Sequence, residues 1–459
     1  MTGKGRPQKA NSLDTAEKQG AKKKEAIPSE KMEKSQEKSL EGEPPKVTNP
    51  TKKGTTKTKP EKRCEEKAEL QSSEEMTQKQ PEAPKDPKKD LREDKTPKAS
   101  VLKKTLEKLK IKPQARSDAS EVVNKLVEAV STHLKKNTKS FEEVERPLPT
   151  GSYYENLKIS DPDEFDVMMP IPVERVIVEP FGDDGAFYSV ALKRGNSPLK
   201  KFQEEDILSA SKMLEEFRDE IKKCAKDFPE WKLSRKKKRC PAVTLTTEVN
   251  SVTISLDVVL CIMVKSQWPL FTTDGLQIEK WQGTKEKQAY RRKPYYLVPK
   301  YQGRETEEKN GVLAKDTWRV SFSHVEKDLI KKHGSEKTCC ETGGERCCRK
   351  ACLKLLKHLL SLLKEEDSSF DEFYSYTAKT TLLHACSSRA KDSDWKYSDL
   401  SDCFQLLLQD YVENLEKRCL PNFFIPSQNL LCGLSRTRCN KLARRIQEEC
   451  NNGFPIFEK

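Results

Sequence analysis

The stretch 150-TGSYYENLKISDPDEFDVMM-169 decides the fold, because a short Gly-Ser turn precedes an extended run whose acids alternate with apolar residues. Glu164 and Asp166 are two apart, so on a strand both carboxylates project to one face, a few ångströms from each other. Carboxylates held that close repel unless a cation lies between them. Mg²⁺ suits the need, since it takes hard oxygen ligands and shares them with phosphates. A third acid, Asp257, stands inside the apolar run 253-TISLDVVLCI-262, where an isolated charge is costly unless it is paired or metal-bound. Taken singly, each acid reads as a solvent-facing group on an edge strand; the three together point to a metal. In the turn itself, backbone N–H groups and the Ser152 hydroxyl can receive a phosphate.

Outward from this stretch, residues 150 to about 275 alternate β-branched and aromatic runs, such as "AFYSVALKR" and "AVTLTTEV", with Gly, Pro and Asp. One amphipathic helix, "EEDILSASKMLEEFRDEIKKCAKDF", interrupts them. Beyond about 300 the period is mostly helical, as in "CLKLLKHLLSLLKEE" and "RTRCNKLARRIQEEC", which makes the fold class α+β. Ahead of the stretch, Val101, Leu102, Leu106 and Leu109 recur at helical spacing among lysines, and a second such run follows Pro113, predicting one long or broken helix over 99–138. Its basic face reads as solvated, the commoner fate of lysines on a helix, or as a ligand surface. Residues 1–98 contain no aromatic residue and are rich in Lys, Glu, Pro, Ser and Thr, a composition that cannot bury enough apolar surface to order the backbone. This predicts a disordered basic tail, either solubilising or condensing on phosphates.

The 459 residues are 34% hydrophobic and 35% charged, with a net charge of +14. That charge favours a polyanionic partner, nucleic acid or an acidic membrane surface. No run approaches the roughly 18 apolar residues of a membrane span, and no secretory signal opens the chain, so a soluble intracellular protein is expected. In a reducing compartment an odd 15 cysteines argue against a disulfide framework. Five of them crowd into 339-CCETGGERCCRKAC-352, just after His333. These six soft or borderline ligands suit tetrahedral Zn²⁺, although spacing does not say which four bind, and scattered reduced thiols are the plain alternative. Lys327, Lys337, Arg349, Lys350 and Lys354 surround the run, a cation-studded loop suited to duplex phosphates together with Lys108 and Lys110 of the preceding helix. The basic run 235-RKKKR-239 reads as more of that surface, a solvated loop or a nuclear-localisation patch.

The Gly-Ser turn, the acid pair and the later third acid resemble the polymerase-β-type nucleotidyltransferase superfamily. With "ILSASKML", "YYLVPK", "TWRVSFSHVEKDL" and the cysteine run, residues 99–459 resemble the vertebrate cyclic GMP-AMP synthases, of its Mab-21-like group. The resemblance implies a bilobal nucleotidyltransferase fold: a catalytic lobe with a mixed β-sheet over 139–290, and a helical lobe over 291–459 with a zinc insertion at 333–352. It implies two Mg²⁺ (or Mn²⁺) on Glu164, Asp166 and Asp257, and one structural Zn²⁺ on His333, Cys339, Cys340 and Cys347. The donor triphosphate would lie on Ser152, Lys357 and Ser375, with Tyr376 stacked on a purine. Arg319, Ser321 and Ser323 share one face of an extended segment and would read guanine; Lys300 and Glu326 belong to the same pocket. ATP and GTP would be joined into 2′,3′-cyclic GMP-AMP in response to double-stranded DNA, bound without regard to sequence and on a homodimer, as a DNA sensor of innate immunity.

Further implications are a nucleosome acidic-patch contact through Arg175 and Arg194, and residence in cytosol and nucleus. Two positions depart from the family pattern: Val259 lacks the hydroxyl of a Thr found in some members, and Pro149 replaces Asn, which bears on nucleotide preference and rate. The alternative reading is a catalytically inactive DNA-binding protein on the same scaffold. A synthase of linear 2′-5′ oligoadenylate is a further one, although that class lacks the cysteine insert.

Overall fold

Pro113 divides the expected helix in two. Helix α1 (Pro97–Lys108) and helix α2 (Pro113–Asn137) are separated by a short break, and Lys112 is extended at φ −62° and ψ 134°, as the proline ring requires of the residue before it. The computed structural model describes residues 97–193, 197–335, 339–340 and 346–459. The basic tail expected over 1–98 lies outside them apart from its last two residues, and so do Arg194 and Lys337. Leu102 and Leu106 of α1 and Val123, Leu126, Val130 and Leu134 of α2 are buried, the faces that the spacing predicts.

Among the described residues, nine strands form one mixed sheet: β1 (Leu148–Thr150), β2 (Glu164–Val173), β3 (Val176–Pro180), β4 (Tyr188–Leu192), β5 (Lys232–Leu233), β6 (Ala242–Val249), β7 (Val252–Val264), β8 (Tyr295–Pro299) and β9 (Trp318–Ser321). The order is β1-β2-β7-β8-β9-β4-β3, with β6 also on β7 and β5 on β6. Strands β2 and β7 run parallel with ten residues in register, from Glu164 opposite Ser255 to Val173 opposite Val264. Along β7 buried and partly exposed residues alternate as far as Val259, and every residue from Leu260 to Val264 is buried.

The sheet continues past residue 290, where the catalytic lobe was expected to end, because β8 and β9 lie within it. Each is only four or five residues long, too short for a period to emerge from the helical pattern around it. Helix α3 is the single turn Gly151–Tyr154, and α4 (Ala210–Cys224) is capped by the Ser209 hydroxyl. After α5 (Thr284–Arg291) and α6 (Ser323–Lys331), four long helices follow: α7 (Arg349–Glu366), α8 (Ser375–Ser388), α9 (Leu400–Lys417) and α10 (Arg436–Asn451). One continuous apolar core runs from Leu102 to Phe457, so sheet and helices are packed together. No described helix is long and apolar enough to cross a membrane.

Candidate active site and metal centre

Parallel pairing of β2 with β7 places Asp166 directly beside Asp257. Strand β1 puts Thr150 on the other side of Asp166, and the chain then turns into α3 at Gly151, whose φ is +77°. A side chain at 151 would collide with the Asp166 carboxylate, so the turn can pack onto the acid only with glycine there. Asp257 Oδ1 accepts a hydrogen bond from Thr244 Oγ1 of β6 at 2.6 Å. Burial, reinforced by the charges of Glu164 and Asp257, pushes the Asp166 carboxyl up to about 7. Burial likewise raises Asp257, against the opposing Thr244 hydrogen bond. Two acids that resist ionising side by side want a cation, and their hard oxygens fit Mg²⁺.

Glu164, the third acid, is exposed and already engaged. Lys158 Nζ lies 3.2 Å from Glu164 Oε2 and 2.7 Å from Asp163 Oδ1. The three carboxylates are not gathered as tightly as metal ligands: among the described residues, only a His/Cys group brings three or more ligand atoms within 4.8 Å of one another.

Ser152 lies in α3, with its carbonyl accepting from the Leu157 N–H at 2.8 Å. Lys357 reaches over from α7 and donates to the Leu157 carbonyl at 2.8 Å; burial and the neighbouring Lys379 lower its ammonium to about 8. Ser375 is exposed at the start of α8. A cavity of about 730 Å³ opens nearby on β8, β9 and α8, and Lys300, Arg319, Ser321, Ser323, Glu326 and Tyr376 all line it. The Arg319 guanidinium stands 5.8 Å from the centroid of the Tyr376 ring, and the Tyr376 hydroxyl donates to Glu326 Oε1 at 2.9 Å. Ser323 does not continue the extended segment as expected: it is the first residue of α6, and the change of direction leaves its hydroxyl 3.3 Å from that of Ser321. The carboxylates, Ser152, Lys357 and Ser375 are not part of that lining.

Several residues of this region were not assigned to the site from the sequence. Lys379, one turn after Tyr376 on α8, lies 2.8 Å from Glu155 Oε1 and 3.1 Å from Glu326 Oε2, and so ties the end of α3 to the cavity. Its position three residues after Tyr376 puts it on the same side of a helix, which was the one available hint. Arg239, from the basic run 235–239, lines the cavity, and the charge of Lys237 is felt at Asp257. Part of that run therefore faces the chemistry.

The cysteine segment is drawn into a compact ligand set. Ligand atoms of His333, Cys339, Cys340 and Cys347 all lie within 4.8 Å of one another, with Cys340 Sγ 3.8 Å from Cys347 Sγ. His333 Nδ1 faces the Ile330 carbonyl at 2.9 Å, while its buried Nε2 has no partner. That bond selects the tautomer with a free lone pair on Nε2, so one nitrogen and three sulfurs fit tetrahedral Zn²⁺. Cys348 and Cys352 are fully buried and pack in the core. Arg349, grouped with the surface cations on sequence, is instead 0% exposed. Its Nη1 lies 2.8 Å from Asp392 Oδ1 and 3.9 Å from Cys339 Sγ, and its guanidinium stands 5.4 Å from the Trp395 ring centroid.

A second cavity, of about 470 Å³, lies at the break between α1 and α2, lined by Lys110, Lys112, Arg116, Lys158 and Lys354 together with Tyr153 and Asn156. Burial, together with Lys350, Arg116 and Lys110, lowers the Lys354 ammonium. Lys108 is exposed, and Lys110 pairs with Glu107 at 2.5 Å. Lys327 is committed to the frame of the active site, donating to the Pro149 carbonyl at 2.8 Å. Arg175 is exposed between β2 and β3.

A mixed sheet that sets a Gly-Ser turn against paired aspartates, beside a cavity of nucleotide size, defines a nucleotidyltransferase. Residues 153–332 match the family model of the Mab-21 protein nucleotidyltransferase domain, and 348–448 that of the Mab-21 protein HhH/H2TH-like domain. The chain is 44% identical over 365 residues to a cyclic GMP-AMP synthase of Mus musculus, covering 78% of this chain and 70% of that one. It is 42% identical over 371 residues to the corresponding protein of Sus scrofa, covering 79% and 73%. A cyclic GMP-AMP synthase-like receptor of Magallana gigas shares 25% over 314 residues, 65% of this chain and 50% of that one. The chain belongs to the cyclic GMP-AMP synthase family.

Proposed function

We propose that this chain joins ATP and GTP into 2′,3′-cyclic GMP-AMP when it binds double-stranded DNA. The observation that carries the reading is the Asp166–Asp257 pairing under the Gly151–Ser152 turn, in a chain whose relatives are named cyclic GMP-AMP synthases. Ser152, Lys357 and Ser375 hold the donor triphosphate, and Tyr376 stacks on its purine. Arg319, Ser321 and Ser323, with Lys300 and Glu326, receive the partner base; a guanidinium pairs well with guanine O6 and N7. Two Mg²⁺ ions held by Glu164, Asp166 and Asp257 would neutralise the triphosphate. Asp257, oriented by Thr244, aligns the attacking ribose hydroxyl and accepts its proton. Each of the two steps, a 2′-5′ link and then a closing 3′-5′ link, forms one phosphodiester bond and releases one pyrophosphate.

Lys108, Lys110, Lys337, Lys350 and Lys354 grip DNA phosphates without reading bases, and Lys327 supports them from the edge of the active site. Zn²⁺ on His333, Cys339, Cys340 and Cys347 fixes that face. We extend the reading to a homodimer on DNA, to a nucleosome contact through Arg175 and Arg194, to an anionic-membrane contact through residues 1–98, and to work in cytosol and nucleus. Incubating the purified chain with ATP, GTP, Mg²⁺ and duplex DNA, followed by mass spectrometry and linkage-specific nuclease digestion, should reveal a mixed-linkage cyclic dinucleotide. Equal yield without DNA would overturn the activation claim, and a linear oligoadenylate would overturn the product.

A further inference from the structure

We infer that Lys158 is the exchange point between the basic cavity and the metal-binding carboxylates, so that a phosphate entering the cavity releases Glu164. The inference rests on the DNA reading above and adds how the signal crosses. Two facts about one side chain carry it. Lys158 lines the cavity at the α1–α2 break, and its ammonium is held by Asp163 and Glu164 at 2.7 and 3.2 Å. The side chain is only 11% exposed, so both contacts compete for one confined charge.

While Lys158 holds Glu164 Oε2, that oxygen is a poor ligand, because a divalent ion must first displace the ammonium. Lys110, Lys112, Arg116 and Lys354 crowd the same cavity, and like charges packed together favour an anion among them. A DNA phosphodiester drawn in by these four carries one negative charge, as the Glu164 carboxylate does, and so offers Lys158 an alternative partner on the cavity side. The backbone need not move: Leu157 is pinned through its N–H to Ser152 and through its carbonyl to Lys357, so the Lys158 side chain alone can swing.

Linkage makes the effect reciprocal: duplex DNA tightens divalent-ion binding by the factor by which the ion tightens DNA. The test measures Mn²⁺ affinity by electron spin resonance on the zinc-loaded full chain, with and without saturating duplex. In the unaltered chain the duplex should tighten Mn²⁺ by about 5- to 150-fold, the usual span of such coupling. In Lys158→Gln the DNA-free affinity should rise toward the duplex-bound value, and the increment should shrink below about twofold. Removing a positive charge without an exchange would raise both affinities alike and leave the increment whole, which would overturn the inference. Lys158→Arg should keep the increment. Lys112→Gln, which thins the cavity's charge without touching Glu164, should weaken duplex binding yet keep the increment at saturation; losing it there would also overturn the inference. If the unaltered chain bound no duplex, the DNA reading itself would fall, and this inference with it.

Discussion

A Cβ at position 151 would stand 1.9 Å from Asp166 Oδ2, so Gly151 and the Asp166 carboxylate share one volume. Gly151→Ala must displace the acid or the turn, and at φ +77° it also strains the backbone by about 1 to 3 kcal/mol. A shift of about 1 Å in a reacting group costs roughly 100-fold in rate. Product formation should therefore fall at least that far, while thermal melting drops only modestly. Full activity in Gly151→Ala would show that the turn can back away from Asp166 without cost.

Asp166→Asn and Asp257→Asn keep shape and remove charge. Loss of a metal-binding carboxylate removes several kcal/mol of transition-state stabilisation, about two or more orders of magnitude in turnover. Duplex affinity, measured by fluorescence anisotropy without divalent ions, should remain within about twofold of the unaltered chain, because the basic cavity is untouched.

If Lys357 holds the triphosphate as proposed, its ammonium, lowered to about 8 chiefly by burial, should set a pH limit on that binding. It is charged below that value and neutral above it, so kcat/KM, which reports the free enzyme, should fall as pH rises through about 8. Lys357→Arg, always charged, should flatten that limb. A limb that stayed in place in the Arg variant would belong to another group.

Buried Arg349 touches Cys339 Sγ, and a Zn²⁺ with three thiolates carries one net negative charge that its guanidinium offsets. Arg349→Met should weaken zinc retention against a chelator about 10- to 100-fold, as loss of an outer partner of a metal ligand does. Arg349→Lys should recover part of it. Cys339→Ala should abolish DNA-stimulated synthesis with the carboxylates intact, and unchanged zinc content in Arg349→Met would refute the charge argument.

Lys379 bridges Glu155, 1% exposed, and buried Glu326. Lys379→Met leaves two buried carboxylates without their cation, a loss of about 3 to 5 kcal/mol in urea unfolding. A change under about 1 kcal/mol would mean that the acids had simply taken up protons.

The three candidate acids were conspicuous because a strand's period of two places Glu164 and Asp166 on one face, and an acid in an apolar run stands out wherever it falls. The candidate metal ligands were legible as a crowd; spacing left six, and the fold gathers four of them, His333, Cys339, Cys340 and Cys347. Arg349 was misjudged since charge says nothing of direction: it opens α7 on the face that meets Trp395. Glu155 and Lys379 are 224 residues apart, and no local pattern links such positions. Strands β8 and β9 were hidden by their brevity, and Ser323 by a helix that begins one residue after the strand's last neighbour.

The ten-residue register between β2 and β7 gives the site a fixed jaw. A slip of one residue would send every side chain of a strand to the opposite face, so the two aspartates cannot drift apart without dismantling the centre of the molecule. What remains adjustable sits at the end of that register or outside it: Glu164 at its first position, and Ser152 on a single helical turn. Changes at Glu164 or in the Gly151–Tyr154 turn can thus reshape the mouth of the site while the register that seats the two aspartates stays as it is.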